Sequence, residues 1–369
     1  MKKKKLRQID VANAFLYAPV DAEIYVELPH GSHGEPNRIC QLLKSLYGIK
    51  QAPRLWQQYL HARLIRIGFN QLPHDQGMYR LTKGSDYVLL IVYVDDLLYI
   101  GSTNGIATWF EGELQKDLTL TVSSTVTQYL GLNIREEENA IYLSAEKYAD
   151  TIAKRFSLTP SAISTPYRYT SGTEKERTTL LKPAGIRDYQ KKLGCLLFAA
   201  VTCRPDLSYS ASQLATYLKK HEAEHLAELD RALHYFVSTA TIGLTYHKSA
   251  ATPTKLIGYV DADHAGDTDN RRSRTGYVYR LEPIGPISWQ SSKQELIALS
   301  SAEAEYIALC SATKEGLYLR ELLEEAKLAE LPSFTVFCDN HASKGKRDDG
   351  KGIDKVGGEW GEERNVGMG

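Results

Sequence analysis

The tetrapeptide Tyr93-Val94-Asp95-Asp96 stands between two apolar runs, Tyr87 to Val92 and Leu97 to Ile100. Strand-like runs of Val, Ile, Leu and Tyr on either side of adjacent aspartates predict a β-hairpin with its turn at the carboxylates. Two carboxylates at one tip repel each other unless solvent or cations neutralise them. A divalent-metal site for phosphoryl chemistry is one reason to build such a tip. An ordinary Asp-Asp turn is the other, and the dipeptide alone does not separate them.

A second acidic strand end lies upstream, in Gln8-Ile9-Asp10-Val11-Ala12-Asn13-Ala14-Phe15. If the two segments are neighbouring strands of one sheet, Asp10 joins Asp95 and Asp96 in a cluster suited to two metal ions that activate a hydroxyl and stabilise a leaving pyrophosphate. A further set lies in the last third. Leu256 to Val260 reads as a strand ending at Asp261-Ala262-Asp263-His264, and Thr335 to Cys338 as another ending at Asp339. Between them Ala302 to Glu325 has the spacing of a long helix, capped by Ser300 or Ser301 with Glu303 nearby. Glu305 projects from its first turns, with Glu303 as a rival, and Asp263 reads as a turn residue.

Taken in order, these blocks resemble the reverse transcriptase and RNase H region of the Pol polyprotein of copia-type LTR retrotransposons. The resemblance is carried by Gln8 to Gly31, Ser45 to Trp56 (SLYGIKQAPRLW), Tyr93 to Gly101 (YVDDLLYIG), Tyr129 to Ile134, Ile141 to Phe156, Tyr189 to Tyr246 with Cys203-Arg204-Pro205-Asp206-Leu207, and Gly258 to Asn340. It implies an α+β fold: a reverse-transcriptase palm and thumb with a ferredoxin-like palm sheet, a helical connection, and a mixed-sheet RNase H-like domain. The expected divisions are 1–157 for palm and partial thumb, 158–184 for a linker, 185–248 for the connection, 255–342 for the RNase H-like domain and 343–369 for a disordered or frameshifted tail.

Residue by residue, the resemblance implies that Asp10, Asp95 and Asp96 are polymerase metal ligands. Asp261, Glu305 and Asp339 become those of the ribonuclease. Phe15 would close the sugar pocket against a 2′-hydroxyl, the group that distinguishes RNA precursors, with Tyr47 and Gly48 beside the incoming nucleotide. Lys50, Pro53 and Arg54 would face template or phosphates, although a solvated helix start with an early proline accounts for them as well. Two Mg²⁺ ions per site are implied, with Mn²⁺ as a substitute. The implied partners are an RNA template, a DNA primer, the RNA-DNA hybrid, deoxynucleoside triphosphates and other Pol segments such as integrase, in a cytoplasmic virus-like particle or the nucleus.

Against the family's pattern, the chain departs at both ends. Met1 and four lysines stand just ahead of Asp10, where the family carries its fingers region. Beyond about Ala342 the match stops, in a Gly-rich, charge-rich segment whose composition buries too little apolar surface to order itself. Asp348, Asp349 and Asp354 stand in no context matching a fourth ribonuclease carboxylate. Three functions therefore stay open: an RNA-directed DNA polymerase with linked RNase H, a catalytically inactive transposon-derived fragment that at most binds nucleic acid, or a chain in which only the ribonuclease half works.

With 369 residues and 43% hydrophobic content, two globular domains are comfortable. The 45 basic and 45 acidic residues give no global cationic field, so nucleic-acid affinity has to come from local patches such as Lys2 to Arg7, Lys50 to Arg54 and Arg271 to Arg274. Cys40, Cys195, Cys203, Cys310 and Cys338 lack metal-ligand spacing and read as buried thiols of a reducing interior. His225 and His234 have no companion ligands nearby. No apolar run reaches transmembrane length, so no membrane partner is expected.

Overall fold

A computed structural model of the chain describes residues 5–28, 31, 39–168, 183–218, 222–248, 255–267, 270–338 and 353–357. They fall into two compact units, Met1–Val126 and Thr127–Gly369.

In the first unit, strict alternation organises the sheet. Along β1 (Leu6–Val11), Ile9 and Val11 are buried while Asp10 between them is exposed. A short hairpin, β2 (Tyr25–Glu27) with β3 (Ile39–Gln41), precedes α1 (Ala52–Ile67). Pro53 sits at the start of that helix, where its missing N–H is harmless. Gly68 ends it at φ 109°, the left-handed conformation that glycine adopts without strain. Strands β4 (Asn70–Gln71), β5 (Met78–Lys83), β6 (Asp86–Tyr93) and β7 (Asp96–Gly101) follow, then α2 (Asn104–Gln115) and β8 (Leu120–Ser123).

The six-stranded order is β4-β5-β6-β7-β1-β8. Its inner part reads strand, helix, hairpin, helix, strand, with β8 and β7 flanking β1 antiparallel on either side. This is the ferredoxin-like arrangement. One face of the sheet, carrying Ile9, Val11, Val88, Leu90, Leu97 and Tyr99, packs on Trp56, Leu60, Leu64, Ile106, Phe110 and Leu114 of the two helices. On that same face Arg7 pairs with Glu111 of α2 at 2.5 Å, and the Tyr99 hydroxyl donates to the same carboxylate. Burial and this carboxylate hold the Tyr99 phenol well above its usual range.

The second unit begins with β9 (Gln128–Tyr129), β10 (Leu132–Glu136), β11 (Ala140–Ser144) and α3 (Glu146–Phe156). Helices α4 (Pro183–Thr202), α5 (Ser208–Ala215) and α6 (Ala223–Ser238) lead to β12 (Gly243–His247). That strand pairs with β11, giving the order β12-β11-β10-β9. The expected first division, 1–157, therefore runs across the boundary at Val126, because β12 ties residues 128–144 to the later helices. Arg204 is fully buried at the end of α4, where it makes a two-pronged pair with Asp206 and donates to Thr239.

A five-stranded mixed sheet completes this unit: β13 (Lys255–Asp263), β14 (Arg274–Glu282), β15 (Gly285–Lys293), β16 (Phe334–Cys338) and β17 (Ile353–Gly357), in the order β15-β14-β13-β16-β17. The long helix α7 (Ser301–Glu325) packs through Ala308, Ala312 and Leu319 against Leu256, Val260, Tyr279 and Val336. Strand β17 corrects the expectation of a wholly unstructured tail beyond Ser343. A short segment with little apolar content cannot make its own core, but it can add backbone hydrogen bonds to a sheet edge already supported by α7. The rest of 339–369 lies outside the described residues.

Several surface readings are corrected as well. Arg274 is 6% exposed and donates to Ser212 and Gln213, so the Arg271 to Arg274 cluster is partly structural. Arg7 is likewise engaged by Glu111, and Lys2 to Lys4 lie outside the described residues. All five cysteines are free, but Cys40 and Cys310 are exposed rather than buried. His225 accepts from the Glu222 backbone N–H in a capping box, and His234 Nδ1 lies 2.9 Å from the Thr159 carbonyl. Among the described residues no helix is long and apolar enough to cross a membrane.

Candidate active sites

Strand register assembles the first acidic group. In the antiparallel pair β1–β7, Asp10 stands opposite Asp96, and the Val11 N–H donates to the Asp95 carbonyl at 3.0 Å. Both side chains point to the sheet face away from the helices, since their neighbours Ile9, Val11 and Leu97 are buried in the helix-packed core. The hairpin turn itself is Val94-Asp95, because Tyr93 pairs with Asp96. It thus falls one residue earlier than the sequence suggested, and Asp96 is already a strand residue held by pairing.

The surroundings of these carboxylates are specific. Gln8, two residues before Asp10 on the same face, donates its amide to Asp96 Oδ1 at 3.1 Å. The Tyr47 hydroxyl donates to Asp95 Oδ2 at 3.4 Å. The Asp10 carboxyl is held above its ordinary range by partial burial first, and then by the charges of Asp95 and Asp96. The charges of Asp95 and Asp96 thus add to the cost of ionising Asp10, which a bound cation removes.

Phe15 lies in a single 3-10 turn, Ala14–Tyr17, that directly follows β1 and is entered through Asn13 at φ 53°. Its ring meets Tyr47 edge-on, with centroids 4.5 Å apart. Gly48 has φ 101°, and a Cβ there would meet nothing within 4 Å. Its glycine is thus required by the backbone conformation rather than by crowding. Lys50 is exposed, Pro53 is exposed at the start of α1, and Arg54 forms an exposed ion pair with Asp21. Phe15, Tyr47, Asp95 and Asp10 thus gather into one group. Lys50, Pro53 and Arg54 form a separate loop-to-helix corner.

The second acidic set is built differently. Strand β13 pairs in parallel with β16, Val260 opposite Cys338. Glu305 lies 5% exposed beneath these strand ends; its Oε1 accepts from the Ala262 N–H at 3.4 Å and its Oε2 from the Cys338 thiol at 3.5 Å. Glu303 is exposed and accepts from the Leu299 N–H, while its own N–H donates to Ser300 Oγ at 3.2 Å. The two glutamates differ in position: Ser300 caps α7 and Glu303 reaches back to the Leu299 N–H, while Glu305 faces the strand ends. Asp261, the residue after buried Val260, turns to the other sheet face and lines a cavity of about 430 Å³ with Tyr209, Tyr259, Arg274 and Trp289. Asp263 accepts from the Arg274 N–H, an anchor for the start of β14, and burial holds its carboxyl above the usual range. Asp339 lies outside the described residues.

Among the described residues no three His, Cys, Asp or Glu side chains form a ready-made metal cage. Protein sites commonly hold a hard divalent cation such as Mg²⁺ with one or two carboxylates while substrate phosphates complete its shell. The hard oxygen donors at Asp10 and the 95–96 pair, facing one another with mutual repulsion, fit such a cation. Sequence reasoning missed two supporting groups, Gln8 and Trp56. The first is readable from strand alternation, being two residues from Asp10. The second, whose indole N–H donates to the Val94 carbonyl at 2.7 Å, carries only the general signal that a buried Trp needs an acceptor.

The chain is similar to known reverse transcriptases and transposon polyproteins. Residues 1–168 match the model of the family described as reverse transcriptase (RNA-dependent DNA polymerase). The chain is 33% identical over 349 residues to the retrovirus-related Pol polyprotein from transposon TNT 1-94 of Nicotiana tabacum, an alignment covering 92% of this chain and 26% of that one. It is also 33% identical over 312 residues to a transposon Ty5-1 protein of Saccharomyces cerevisiae, covering 83% of this chain and 100% of the relative. The chain spans only about a quarter of the plant Pol polyproteins it matches, 26%, 23% and 23%. In fold it is similar to a foamy viral protease-reverse transcriptase solved in complex with RNA/DNA hybrid, at TM-score 0.51 and 15% identity, covering 91% of this chain and 39% of that one.

Proposed function

Because the chain belongs to the reverse transcriptase family, as a segment of a copia-type retrotransposon Pol polyprotein, we propose that Asp10, Asp95 and Asp96 form its nucleotidyl-transfer site and that Asp261, Glu305 and Asp339 form a linked ribonuclease H site. The observation that carries the first part is the register of β1 on β7, which sets Asp10 opposite Asp96 on the open sheet face. In this reading the three carboxylates hold two Mg²⁺ ions. When bound, the metal supplies Lewis-acid activation of the primer 3′-hydroxyl and neutralises charge on the leaving pyrophosphate.

The chain's own residues do the rest. Asp10 presents its oxygen donors from β1 and Asp95 from the turn between β6 and β7, and Tyr47 and Gln8 hold Asp95 and Asp96 respectively by a hydrogen bond each. Phe15, braced by Tyr47, closes the space a 2′-hydroxyl would need. Gly48 leaves the backbone open to a triphosphate. Lys50 and Arg54 meet template phosphates, the exposed Arg54–Asp21 pair being weak enough to exchange for one. In the second site Glu305 is oriented by the Ala262 N–H and the Cys338 thiol. There water is the nucleophile on RNA paired to DNA. RNA template, DNA primer, hybrid and deoxynucleoside triphosphates are the substrates of this reading.

Primer extension on an RNA template with Mg²⁺ tests it, using the purified chain and Asp95→Asn as control. Extension lost in the control supports the polymerase site. A folded chain that binds template without extending is instead the silent nucleic-acid-binding fragment.

A further inference from the structure

The Val94-Asp95 turn combines two features that do not ordinarily occur together. Val94 has φ 54°, a left-handed conformation in which a β-branched residue is a true outlier. Such conformations persist only where the surroundings over-determine them. The turn also borders a cavity of about 380 Å³, lined by Pro53, Trp56, His61, Tyr79, Val92 and Val94. On that side no tight wedge of side chains holds the valine in place. What does reach it is the indole of Trp56, which donates to the Val94 carbonyl at 2.7 Å.

Trp56 is well fixed to do this. It is 1% exposed on the buried face of α1. Its ring stacks on Tyr59 with centroids 5.9 Å apart and leans on Tyr17 at 6.3 Å. Its donor direction is thus set by the helix and two further rings. On the far side of the same peptide unit, Asp95 receives the Tyr47 hydroxyl, and the Asp95 carbonyl accepts from Val11, next to Asp10.

We propose that Trp56 is a positioning residue for the nucleotidyl-transfer site: its indole N–H holds the strained Val94 peptide so that Asp95 faces Tyr47 and Asp10. The proposal rests on the polymerase reading of Asp95. It predicts that the indole matters to the extent that position 94 is strained.

The test uses the full chain with Trp56→Phe, which keeps a ring and removes the donor, Val94→Gly, which removes the strain, and the double variant. Trp56→Phe is expected to lower kcat for primer extension by about tenfold, with KM for the nucleotide nearly unchanged. In the Val94→Gly background the same change is expected to lower kcat by about twofold or less. An unchanged kcat in Trp56→Phe overturns the proposal, and so does an equal loss in both backgrounds, which marks general packing. A readout independent of activity separates this from failure of the polymerase reading. The indole N–H resonance that vanishes in Trp56→Phe is expected to shift on Val94→Gly while those of Trp109 and Trp289 stay in place. If it does not shift, the clamp is wrong whether or not the chain extends a primer.

Discussion

The two acidic sites of this chain are assembled by different means. In the first, neighbouring strands bring Asp10 and Asp96 together as direct partners in an antiparallel ladder, so the cluster is a by-product of register. In the second, Asp261 comes from a strand and Glu305 from a helix, and the glutamate is buried and engaged by a backbone N–H and a thiol. Register is set by the hydrophobic alternation along both strands and by the turn rather than by any single side chain. The placement of Glu305 beneath the strand ends depends on the packing of α7 against Leu256, Val260 and Val336. The first site should therefore resist core substitutions better than the second.

The largest expected contrast is chemical. Asp95→Asn should reduce primer extension by about a thousandfold, the scale of losing a group that stabilises developing charge, and leave cleavage of an RNA-DNA hybrid intact. Glu305→Gln should do the reverse. Parallel extension and cleavage assays check this, and loss of both activities in either variant would mean that the two sites do not work separately. Next in size is a stability effect confined to the second unit. Arg204→Ala leaves Asp206 without its buried partner and should destabilise that unit by about 3 kcal/mol. Denaturant unfolding followed at Trp289 should report the shift, while Trp109 of the first unit stays unmoved.

Smaller again is the effect on sugar choice. Phe15→Ala should lower discrimination against ribonucleotides by about 10- to 100-fold, read as the ratio of kcat/KM for the two nucleotide classes. An unchanged ratio would return Phe15 to a plain core role. The smallest effect is on pH. Asp10 is held above its usual range by burial and then by Asp95 and Asp96, and its proposed role as a metal ligand needs it ionised, so activity is expected to fall as pH drops through that raised value. Asp96→Asn removes one of the repelling charges, lowers the Asp10 value and should move the acid limb of the residual activity to lower pH. A limb that stays or moves upward would show that these carboxylates do not titrate as one cluster.

Much of this was legible because strands write their faces into the sequence. Asp10 between Ile9 and Val11, and Asp96 before Leu97, each declare which side of the sheet they occupy. The turn was misplaced by one residue because a valine in the left-handed conformation is not something local preference foretells; the structure around it has to impose it. Arg274 looked like a surface cation, since nothing local reveals that Ser212 and Gln213, some sixty positions earlier, will accept from it. Spacing left Glu303 as a rival to Glu305, and only the packing of α7 shows which of the two is buried. The Trp56 contact was out of reach for the same reason, as it joins a helix to a turn 38 residues away.

The pairing of Arg7 with Glu111 has a consequence for how the gene can change length. Arg7 and Asp10 lie on opposite faces of one strand, three residues apart. Deleting or adding a single residue between them would flip one of the two: either a carboxylate enters the apolar layer or Glu111 is left without its cation. Both are penalised together, so this short stretch acts as a fixed reading phase for the palm. Insertions are tolerated best in loops, and the coil at 158–168 offers such a place. Between Arg7 and Asp10 an insertion or deletion is expected to cost the ion pair or the exposed carboxylate at once.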